Sequence, residues 1–528
     1  MISGTAAAGA AIIGTVTVKD SRGAFQSVTI AADGNYSIDV SNLTAPYMLR
    51  ADGDVGGREY HLYSAATSAD INGTINITPL TDLILANIAG DIAANYYNGN
   101  NFSGITKAAL DNQIATVTAQ LMPILTSLGL DNSINLLRTS FNADHTGMDA
   151  VMDVLKVSVD NTTRIATITN VINNSFLTQN IVTHAITGTL DNTGVAGGVT
   201  TFQQINDAFT AFSNLYATSL PTPAQIGALG LFDNTNFLFD GKTYDEFLTE
   251  LTTGDVPVGF KFTNITLVSA GTDNMVIHFT TMVGSQVDNE DEWLFKKDAT
   301  TGKYFAVGNG RHVGAWLYPK AEGFAGSPIR TGLSLDLEDL HLFLNGYGVV
   351  VITGPGGVNE TYVYDIPQHT FRRLSGDHYS LIPLNDSQIA SIPDVNATYT
   401  INLYDNTAGA MTLKETYTET LRKRPYLNSA LSAASFPTIT SRTPTTLVGF
   451  TGGTVSATWT MPAGLHVHVY YVPLEGAGNN ATEEKRLNAG DLSASVLFTP
   501  LGWTATSGGI HIIAEDSYGR RFDSGVNP

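Results

Sequence analysis

Cysteine is absent from all 528 residues of the sequence. Disulfide bonds, thiolate metal ligands and a cysteine nucleophile are therefore excluded together. Positive charge is also scarce, since Lys and Arg number 27 against 48 Asp and Glu, and the formal net charge is −21. A surface so poor in cations makes a poor nucleic-acid binder, because phosphate contacts need a cationic patch. We therefore expect no nucleic-acid partner.

Long apolar runs are missing as well. No segment approaches the roughly 20 apolar residues of a membrane-spanning helix, so we expect a chain that does not span a membrane. Residues 6–18 are apolar, but Gly9 and Gly14 interrupt them and no basic flank is present, which makes this stretch a poor signal peptide. We expect the numbering to begin at or near a mature start, with an export signal removed or left out.

Recognisable catalytic motifs are lacking too. The sequence has no G-x-S-x-G, and its eleven His are scattered singly, although a triad assembled from different domains stays an open alternative. The glycine-rich residues 354–357 lie between predicted strands with no helix after them, which favours a turn over a phosphate-binding loop. These absences favour a non-catalytic protein.

What the sequence does contain is a series of modules. A chain of this length divides into roughly three to five domains. Turn signals and periodicity predict a multidomain, mostly β protein, with serial β-sandwiches, a helical spacer and one α+β cone-like domain. The predicted ranges are 1–68 (β-sandwich), 69–193 (helical spacer with a small β ribbon), 199–325 (α+β domain), 330–424 (β-sandwich) and 430–528 (β-sandwich). We find no short-period repeat in the sequence.

Residues 78–97 form the first predicted helix. Thr78 can cap its start, and Pro79 stands at the first helical position, where its missing N–H costs nothing. One face carries apolar residues at helical spacing, namely Leu80, Leu83, Ile84, Ile88 and Ile92. We expect this face to dock on helices within residues 106–156 and to form a spacer between the N-terminal sandwich and the later modules.

The first hundred residues resemble a known family. Residues 2–23 and 29–53, and above all the turn and strand from Asp33 to Ser37, are similar to the carboxypeptidase regulatory-like domain. This domain is a transthyretin-like β-sandwich that is common in exported bacterial proteins. The resemblance implies a structural or binding module, because the domain is not the catalytic part of the enzymes that it accompanies.

Two later regions resemble other folds. In residues 200–314 helices precede strands, an order similar to the cone-shaped fold of the nuclear-transport-factor and ketosteroid-isomerase superfamily, and residues 293–309 resemble its last hairpin. Residues 438–528, with Trp459 on a predicted strand, resemble a fibronectin type III or other immunoglobulin-like domain. Both resemblances imply folds that are compatible with binding or support.

Three histidines are candidate transition-metal ligands. His466 and His468 are two residues apart on a predicted strand and hence on one face, while His511 lies on another strand of the same module. Three imidazoles could bind a transition metal. The competing interpretation is a polar strand face with no metal.

Acidic turns are candidate calcium sites. Asp288, Glu290, Asp291 and Glu292 follow one another with Asn289 between them, just before a predicted strand. Carboxylate oxygens are the ligands that calcium prefers, although the spacing is not that of a helix–loop–helix site. Residues 52–54 are a weaker candidate of the same kind. Solvated turns are the alternative, and calcium is the one cofactor that we consider.

The cone-like domain would enclose a pocket, which keeps an enzymatic alternative open. Its candidate lining residues are Tyr216, Asp240, Tyr244, His278 and Trp293. Binding of a small ligand, or an isomerase- or hydrolase-type activity, would need an acid opposite a base. Aromatic residues at such positions more often belong to a hydrophobic core.

Taken together, these patterns favour a non-catalytic, exported structural or adhesive protein of the bacterial cell surface or extracellular matrix. Residues 2–18 are rich in small residues and carry no charge before Lys19. Such a segment can complete its own sheet or add to the sheet edge of a neighbour. Addition to a neighbouring copy would produce a homo-oligomer and, when repeated, a filament.

Overall fold

The computed structural model describes residues 1–55, 58–99, 101–254, 256–284, 286–337, 346–366, 370–375, 381–395, 397–405, 411–487, 490–516 and 518–526. The chain divides into two compact units. The first comprises Met1–Phe237, Thr243–Val283 and Val287–Gly310, and the second comprises Leu238–Lys242, Gly284–Gln286 and Arg311–Pro528. No helix of the described ranges is long and apolar enough to cross a lipid bilayer.

The first unit begins with six strands, β1 (Ile2–Thr5), β2 (Ile13–Asp20), β3 (Phe25–Thr29), β4 (Asn35–Ile38), β5 (Tyr47–Val55) and β6 (Arg58–Ala66). β1 pairs with β4, and the others form a sheet in the order β3-β2-β5-β6. β2 thus has partners on both edges within its own chain. β1 is bonded on its second edge as well, where Ile75 donates its N–H to the Ser3 carbonyl at 2.7 Å.

Helices follow, in the order α1 (Pro79–Ala89), α2 (Ala93–Asn98), α3 (Lys107–Ser127) and α4 (Gly147–Val154). The Thr78 hydroxyl accepts the Thr81 N–H at 3.2 Å, as the predicted cap requires. The predicted single helix over 78–97 is wrong in its extent, because Gly90 adopts the left-handed conformation (φ 63°) and ends α1. Pro123 lies inside the continuous α3.

A four-stranded meander comes next, formed by β7 (Leu155–Val159), β8 (Ile165–Asn170), β9 (Phe176–Asn180) and β10 (Ile186–Gly188). Its three hairpin loops recur every ten residues. Each loop starts with a side chain that accepts the N–H two residues on, namely that of Asp160, Asn170 or Asn180. Each ends in a left-handed residue, namely Arg164, Asn174 or His184. The expectation of no short-period repeat is therefore wrong for residues 160–185.

One hydrophobic core joins the six-stranded module, the helices and the meander. It extends from Ile2 to Val199 without a break between the predicted ranges 1–68 and 69–193. Helix α1 contacts β6 on one side and α3 on the other. The predicted contact between α1 and the following helices is therefore present, and the same helix also packs against the N-terminal strands.

The rest of the first unit places helices before strands, as predicted. The helices are α5 (Val195–Leu215), α6 (Pro223–Ala228) and α7 (Tyr244–Thr253), and the strands are β11 (Phe260–Ala270), β12 (Asn274–Val283), β13 (Gln286–Lys297) and β14 (Tyr304–Ala306). The four strands form one antiparallel sheet in sequence order. Helix α5 packs on β11.

The second unit is almost entirely β. Its elements are β15 (Ala315–Glu322), β16 (Arg330–Leu337), β17 (Tyr347–Gly354), β18 (Val358–Asp365), β19 (Thr370–Arg373), β20 (Leu381–Pro383), the short helix α8 (Asp386–Ser391), β21 (Ala397–Asp405), β22 (Thr412–Leu421), β23 (Thr438–Thr443), β24 (Gly453–Thr460), β25 (His466–Gly476), β26 (Asn479–Arg486), β27 (Ser493–Phe498), β28 (Ser507–Gly508), β29 (Ile510–Glu515) and β30 (Arg521–Val526). They form sheets of eight, five and three strands.

The eight-stranded sheet runs in the order β20-β16-β15-β30-β29-β25-β26, with β28 beside β25. One part of it shares a core with the five-stranded sheet, where Leu317 and Leu335 join Tyr399 and Ile401. Another part shares a core with the three-stranded sheet around Trp459. Two β-sandwiches therefore share one wall, and the predicted mostly β fold with serial sandwiches is confirmed.

The long sheet takes its strands from three of the five predicted ranges. β15 falls within 199–325, β16 and β20 within 330–424, and β25, β26 and β28–β30 within 430–528. The predicted ranges therefore do not delimit separate sheets, and their status as domains stays a prediction.

Candidate functional site

Charged side chains are concentrated on one face of the eight-stranded sheet, opposite the two sandwich cores. Directly paired residues of neighbouring strands share a face. Lys320 on β15 is paired with Gly332 and with Arg521 on β30, and Glu322 with Arg330 and Asp523. The same face continues across β29, where Glu515 is paired with Arg521. We call this surface the charged face.

Lys320 is the central cation of the charged face. Its ammonium lies 3.2 Å from Glu322 Oε1 and 3.2 Å from Asp523 Oδ2. All three side chains are buried or nearly so, with exposed fractions of 13%, 6% and 3%. Burial opposes the charge of Lys320, but the carboxylates of Asp523 and Glu322 outweigh it and raise the pKa of the ammonium above its usual value.

Arg521 makes the second set of contacts. Its guanidinium carbon lies 3.9 Å from the centroid of the Tyr318 ring, and its Nε lies 2.7 Å from Glu515 Oε1. The Tyr318 hydroxyl donates to Asp336 at 2.7 Å. Burial, and then the charge of Asp336, raise the pKa of Tyr318 to about 12. The face is thus a layer of matched charges that crosses four strands.

Two of the three candidate metal-binding histidines lie beside this layer. His511 Nδ1 is 3.2 Å from Asp523 Oδ1, and the His511 ring stacks on Tyr471 with centroids 4.4 Å apart. His468 Nε2 lies 3.9 Å from Glu515 Oε1. A β-bulge makes His468 the extra residue on its strand, and His466 is the register partner of Glu515.

The three histidines differ in their contacts. The Nε2 of His466 is buried and has no hydrogen-bond partner in the described part of the chain. Within the described ranges, no three His, Asp or Glu side chains form a group that could hold a metal ion. Binding of a transition metal by these histidines stays a prediction.

The acidic run is not a turn. Asp288, Glu290, Asp291 and Glu292 all lie within β13, where successive side chains point to opposite faces. Thr280 Oγ1 donates to Glu290 at 3.4 Å, and His278 Nδ1 lies 3.9 Å from Glu292. Alternation thus separates Asp291 from its neighbours instead of wrapping all four carboxylates around one ion. The weaker candidate, residues 52–54, also lies in a strand, β5.

We expect calcium to leave the melting temperature unchanged. Strand alternation separates the four carboxylates of the acidic run, so folding would assemble no calcium site at this run. The measurement is thermal denaturation in chelator and in millimolar calcium. A rise of several degrees that disappears in a variant with Asp288 and Glu290 both changed to the amides would contradict this expectation.

The candidate pocket residues of the α+β region lie in an aromatic core. Trp293 is ringed by Phe209, Phe232, Phe262 and Phe279, with ring centroids between 4.9 and 5.6 Å away. The Tyr216 hydroxyl donates to the Leu251 carbonyl at 2.6 Å, and Tyr244 contacts Phe232. His278 faces Glu292, as described above. Asp240 belongs to the other compact unit.

A second charged cluster was missed by the sequence analysis. His145 precedes α4, and its Nδ1 lies 2.9 Å from Asp153 Oδ1. Its backbone N–H donates to Asp149 Oδ2 at 2.8 Å, while Gln203 on α5 donates to its carbonyl at 2.6 Å. Both carboxylates are buried. The available signal was the spacing of His145, Asp149 and Asp153, since residues four apart share a helical face.

Comparison with known proteins identifies no family for the chain. No family model matches it, and no curated protein matches it. Among solved structures it is similar to a segment of two fibronectin type III domains from chicken tenascin, with 14% identity, a TM-score of 0.14, and coverage of 40% of this chain and 99% of that one. It is also similar to a tetra-tandem repeat from the extending region of a large adhesion protein, with 11% identity, a TM-score of 0.15, and coverage of 100% and 94%. Similarities with TM-scores this low support no conclusion about function, so the function is inferred from the geometry of the chain itself.

Proposed function

We propose that this chain is a non-catalytic structural or adhesive protein, exported to the bacterial cell surface or extracellular matrix, and that it bears mechanical load. The observation that carries the proposal is the position of β30. This strand lies between β15 and β29, and it runs parallel to β15.

The parallel pair is arranged to resist a pull on the chain. Tension along the chain would enter β15 at Ala315 and leave β30 at Val526, which lie at opposite ends of two parallel strands. Such a load slides one strand past the other, so the cross-strand hydrogen bonds are strained together. A load that peels strands apart strains them one after another and meets less resistance.

Polar contacts reinforce the same pair. The ion pair between Lys320 and Asp523 crosses from β15 to β30, and the Gly323 N–H donates to the Asp523 carbonyl at 2.9 Å. Arg521 on β30 lies over the ring of Tyr318 on β15. These contacts give the charged face a structural role that needs neither a metal nor a substrate.

Composition supports the same role. A charged fraction of 14% and 51 glycines indicate a surface built mainly from small polar residues. Together with serial sheets, this pattern is typical of exported surface proteins, and the resemblance of residues 1–68 to an exported β-sandwich module points the same way.

Self-assembly through residues 2–18 stays a prediction. The strand pairing of these residues within their own chain determines which hydrogen bonds the exchange would break. Exchange of β2 would have to break its ladders with both β3 and β5. Exchange of β1 would have to break its pairing with β4 and the hydrogen bonds around Ser3. Such exchange is therefore expected to need partial unfolding of the N-terminal module.

Single-molecule force spectroscopy tests the load-bearing role. Because the chain has no cysteine, an introduced one is a unique handle. We expect a higher unfolding force when the full chain is pulled from its two ends than when it is pulled between Ser327→Cys and the C-terminus. Ser327 is an exposed turn residue beyond β15, at the same end of the parallel pair as Val526, so the second geometry peels the strands.

The unfolding step to compare is the one that releases about 200 residues, or roughly 70 nm of extended chain. Forced unfolding is governed by the unfolding rate, so the two geometries should differ even though the stability of the protein is the same. Equal unfolding forces in both geometries would overturn the load-bearing proposal.

A further inference from the structure

The three-stranded sheet of β23, β24 and β27 presents a regular array of hydroxyl groups. Two rows cross the strands, and each row takes one residue from each strand. The first row is Ser441, Thr458 and Ser493, and the second is Thr443, Ser456 and Ser495. The residues between them on the strands include Ala457 and Ala494, which belong to the core on the opposite face. The two rows therefore lie together on the outer face of the sandwich.

The array forms a depression on this outer face. Its volume is about 390 Å³, and the residues of both rows line it together with Arg442, Ala457, Ala494 and Lys485. Because Arg442 is paired with Ala457, its side chain is directed to the other face, where its Nε donates to the Thr445 carbonyl at 3.2 Å. Lys485 comes from β26 and is exposed. None of the lining residues is a carboxylate.

Several of these groups have hydrogen-bonding capacity left for a ligand. Ser441 and Thr458 bond to each other at 2.7 Å. By contrast, no side-chain hydrogen bond of Ser456, Ser493 or Ser495 occurs in the described part of the chain. Lys485 likewise forms no ion pair there, whereas Lys320, Lys414 and Lys423 of the same unit each face a carboxylate.

We propose that this depression binds an acidic polysaccharide. A hydroxyl both donates and accepts hydrogen bonds, as the hydroxyls of a sugar do, so the array can exchange bonds with successive sugar rings. Lys485 supplies the single cation that a uronate carboxylate needs. A nucleic acid fits less well, because its closely spaced phosphates require several cations.

The net charge of the protein implies that an acidic polymer can bind only at a local site. At −21 the chain repels polyanions as a whole, so an acidic polymer that binds must be held by a local site. The proposal rests on the adhesive role, for which it names a ligand class. Its test measures binding rather than force, so a failure here would leave the load-bearing result unaffected.

Titration calorimetry with the full chain tests the site. The probes are polygalacturonate, uncharged dextran and single-stranded DNA. We expect polygalacturonate to bind, the uncharged polymer to bind at least tenfold more weakly, and the DNA to show no binding. Added salt should weaken the interaction with polygalacturonate, because one ion pair contributes to it. The proposal would be overturned if polygalacturonate did not bind, or if either control polymer bound as tightly as polygalacturonate.

Two variants locate the site. Lys485→Gln should weaken binding of polygalacturonate roughly tenfold, the effect of losing one hydrogen bond between charged groups. Ser456→Ala with Ser495→Ala should weaken it several-fold. Lys303→Gln is the matched control, since Lys303 is also exposed but lies in the first unit. All the changed side chains are at the surface or on the outer face, so melting temperatures should stay unchanged, and equal affinity of Lys485→Gln and Lys303→Gln would rule the site out.

Discussion

Replacing Lys320 with methionine should lower the free energy of unfolding by about 3–5 kcal/mol, the usual cost of removing one partner from a buried ion pair. The change removes the cation that Glu322 and Asp523 share at 3.2 Å. Methionine keeps most of the aliphatic stem, so the loss measures charge rather than packing. The measurement is equilibrium denaturation in urea, followed by the fluorescence of the four tryptophans.

Lys414→Met is the matched control for this substitution. Lys414 also faces a carboxylate, Asp405 at 3.5 Å, but its side chain is 49% exposed, and exposed pairs contribute only about 0–1 kcal/mol. A combined variant, Lys320→Met with Glu322→Gln and Asp523→Asn, should recover part of the lost stability because no buried charge is then left without its partner. If Lys320→Met and Lys414→Met cost the same, the buried ion pair does not stabilise the charged face.

The parts of the fold that depend on local sequence could be predicted from it. The cap at Thr78 is specified by a short stretch of sequence, and the structure has it at the predicted position. The end of α1 at Gly90 was mispredicted, although Gly is the usual left-handed residue after a helix. The apolar residues at helical spacing beyond Gly90 suggested a longer helix, whereas the glycine itself indicated the correct end.

Long-range pairing left no local signal. Lys320 pairs with Arg521, which lies about two hundred residues later in the chain. The sequence of neither β15 nor β30 indicates which strand it pairs with. A division of the chain into successive sandwiches was the natural prediction, because neighbouring strands in sequence usually pair. The shared wall arises only when the final strand inserts between β15 and β29.

The candidate metal sites show how strand geometry decides chemistry. The run from Asp288 to Glu292 suggested a turn because charged residues are rare in strands, yet cross-strand contacts with His278 and Thr280 hold it in β13. For His466 and His468, the bulge could not be read from the sequence, since it depends on the register against β29. The hydroxyl array was also invisible, because its rows combine residues from three separate strands.

Charged residues are scarce in this protein, and some of their side chains are buried. The charged face sets its cations against carboxylates, as Lys320 does with Glu322 and Asp523. The cluster at His145 differs, because Asp153 faces the His145 imidazole whereas Asp149 accepts the neutral backbone N–H of the same residue. Oδ1 of Asp149 is buried and without a hydrogen-bond partner within the described residues. Burial raises the pKa of Asp149 and also that of Asp82 to about 7, so this cluster should be one of the sources of the pH dependence of stability.

Asp149→Asn should leave stability unchanged near pH 4 and raise the free energy of unfolding by about 2–4 kcal/mol at pH 8. Burial, and then the charge of Asp153, raise the pKa of Asp149 from 3.8 to about 7. Between these values the folded chain holds a proton that the unfolded chain has lost, so the free energy of unfolding falls as pH rises through the window. Asparagine is neutral throughout and still offers an oxygen to the His145 N–H.

The measurement is urea denaturation of both proteins at pH values from 4 to 8, with Asp144→Asn as the control. Asp144 is exposed and lies five residues before Asp149, so its replacement changes the net charge equally without removing a buried carboxyl. The difference between Asp149→Asn and the wild type should grow with pH, while that for Asp144→Asn should stay small. Parallel profiles for the two variants would show that Asp149 ionises normally in the folded chain. Burial of its carboxyl would then not limit stability at neutral pH.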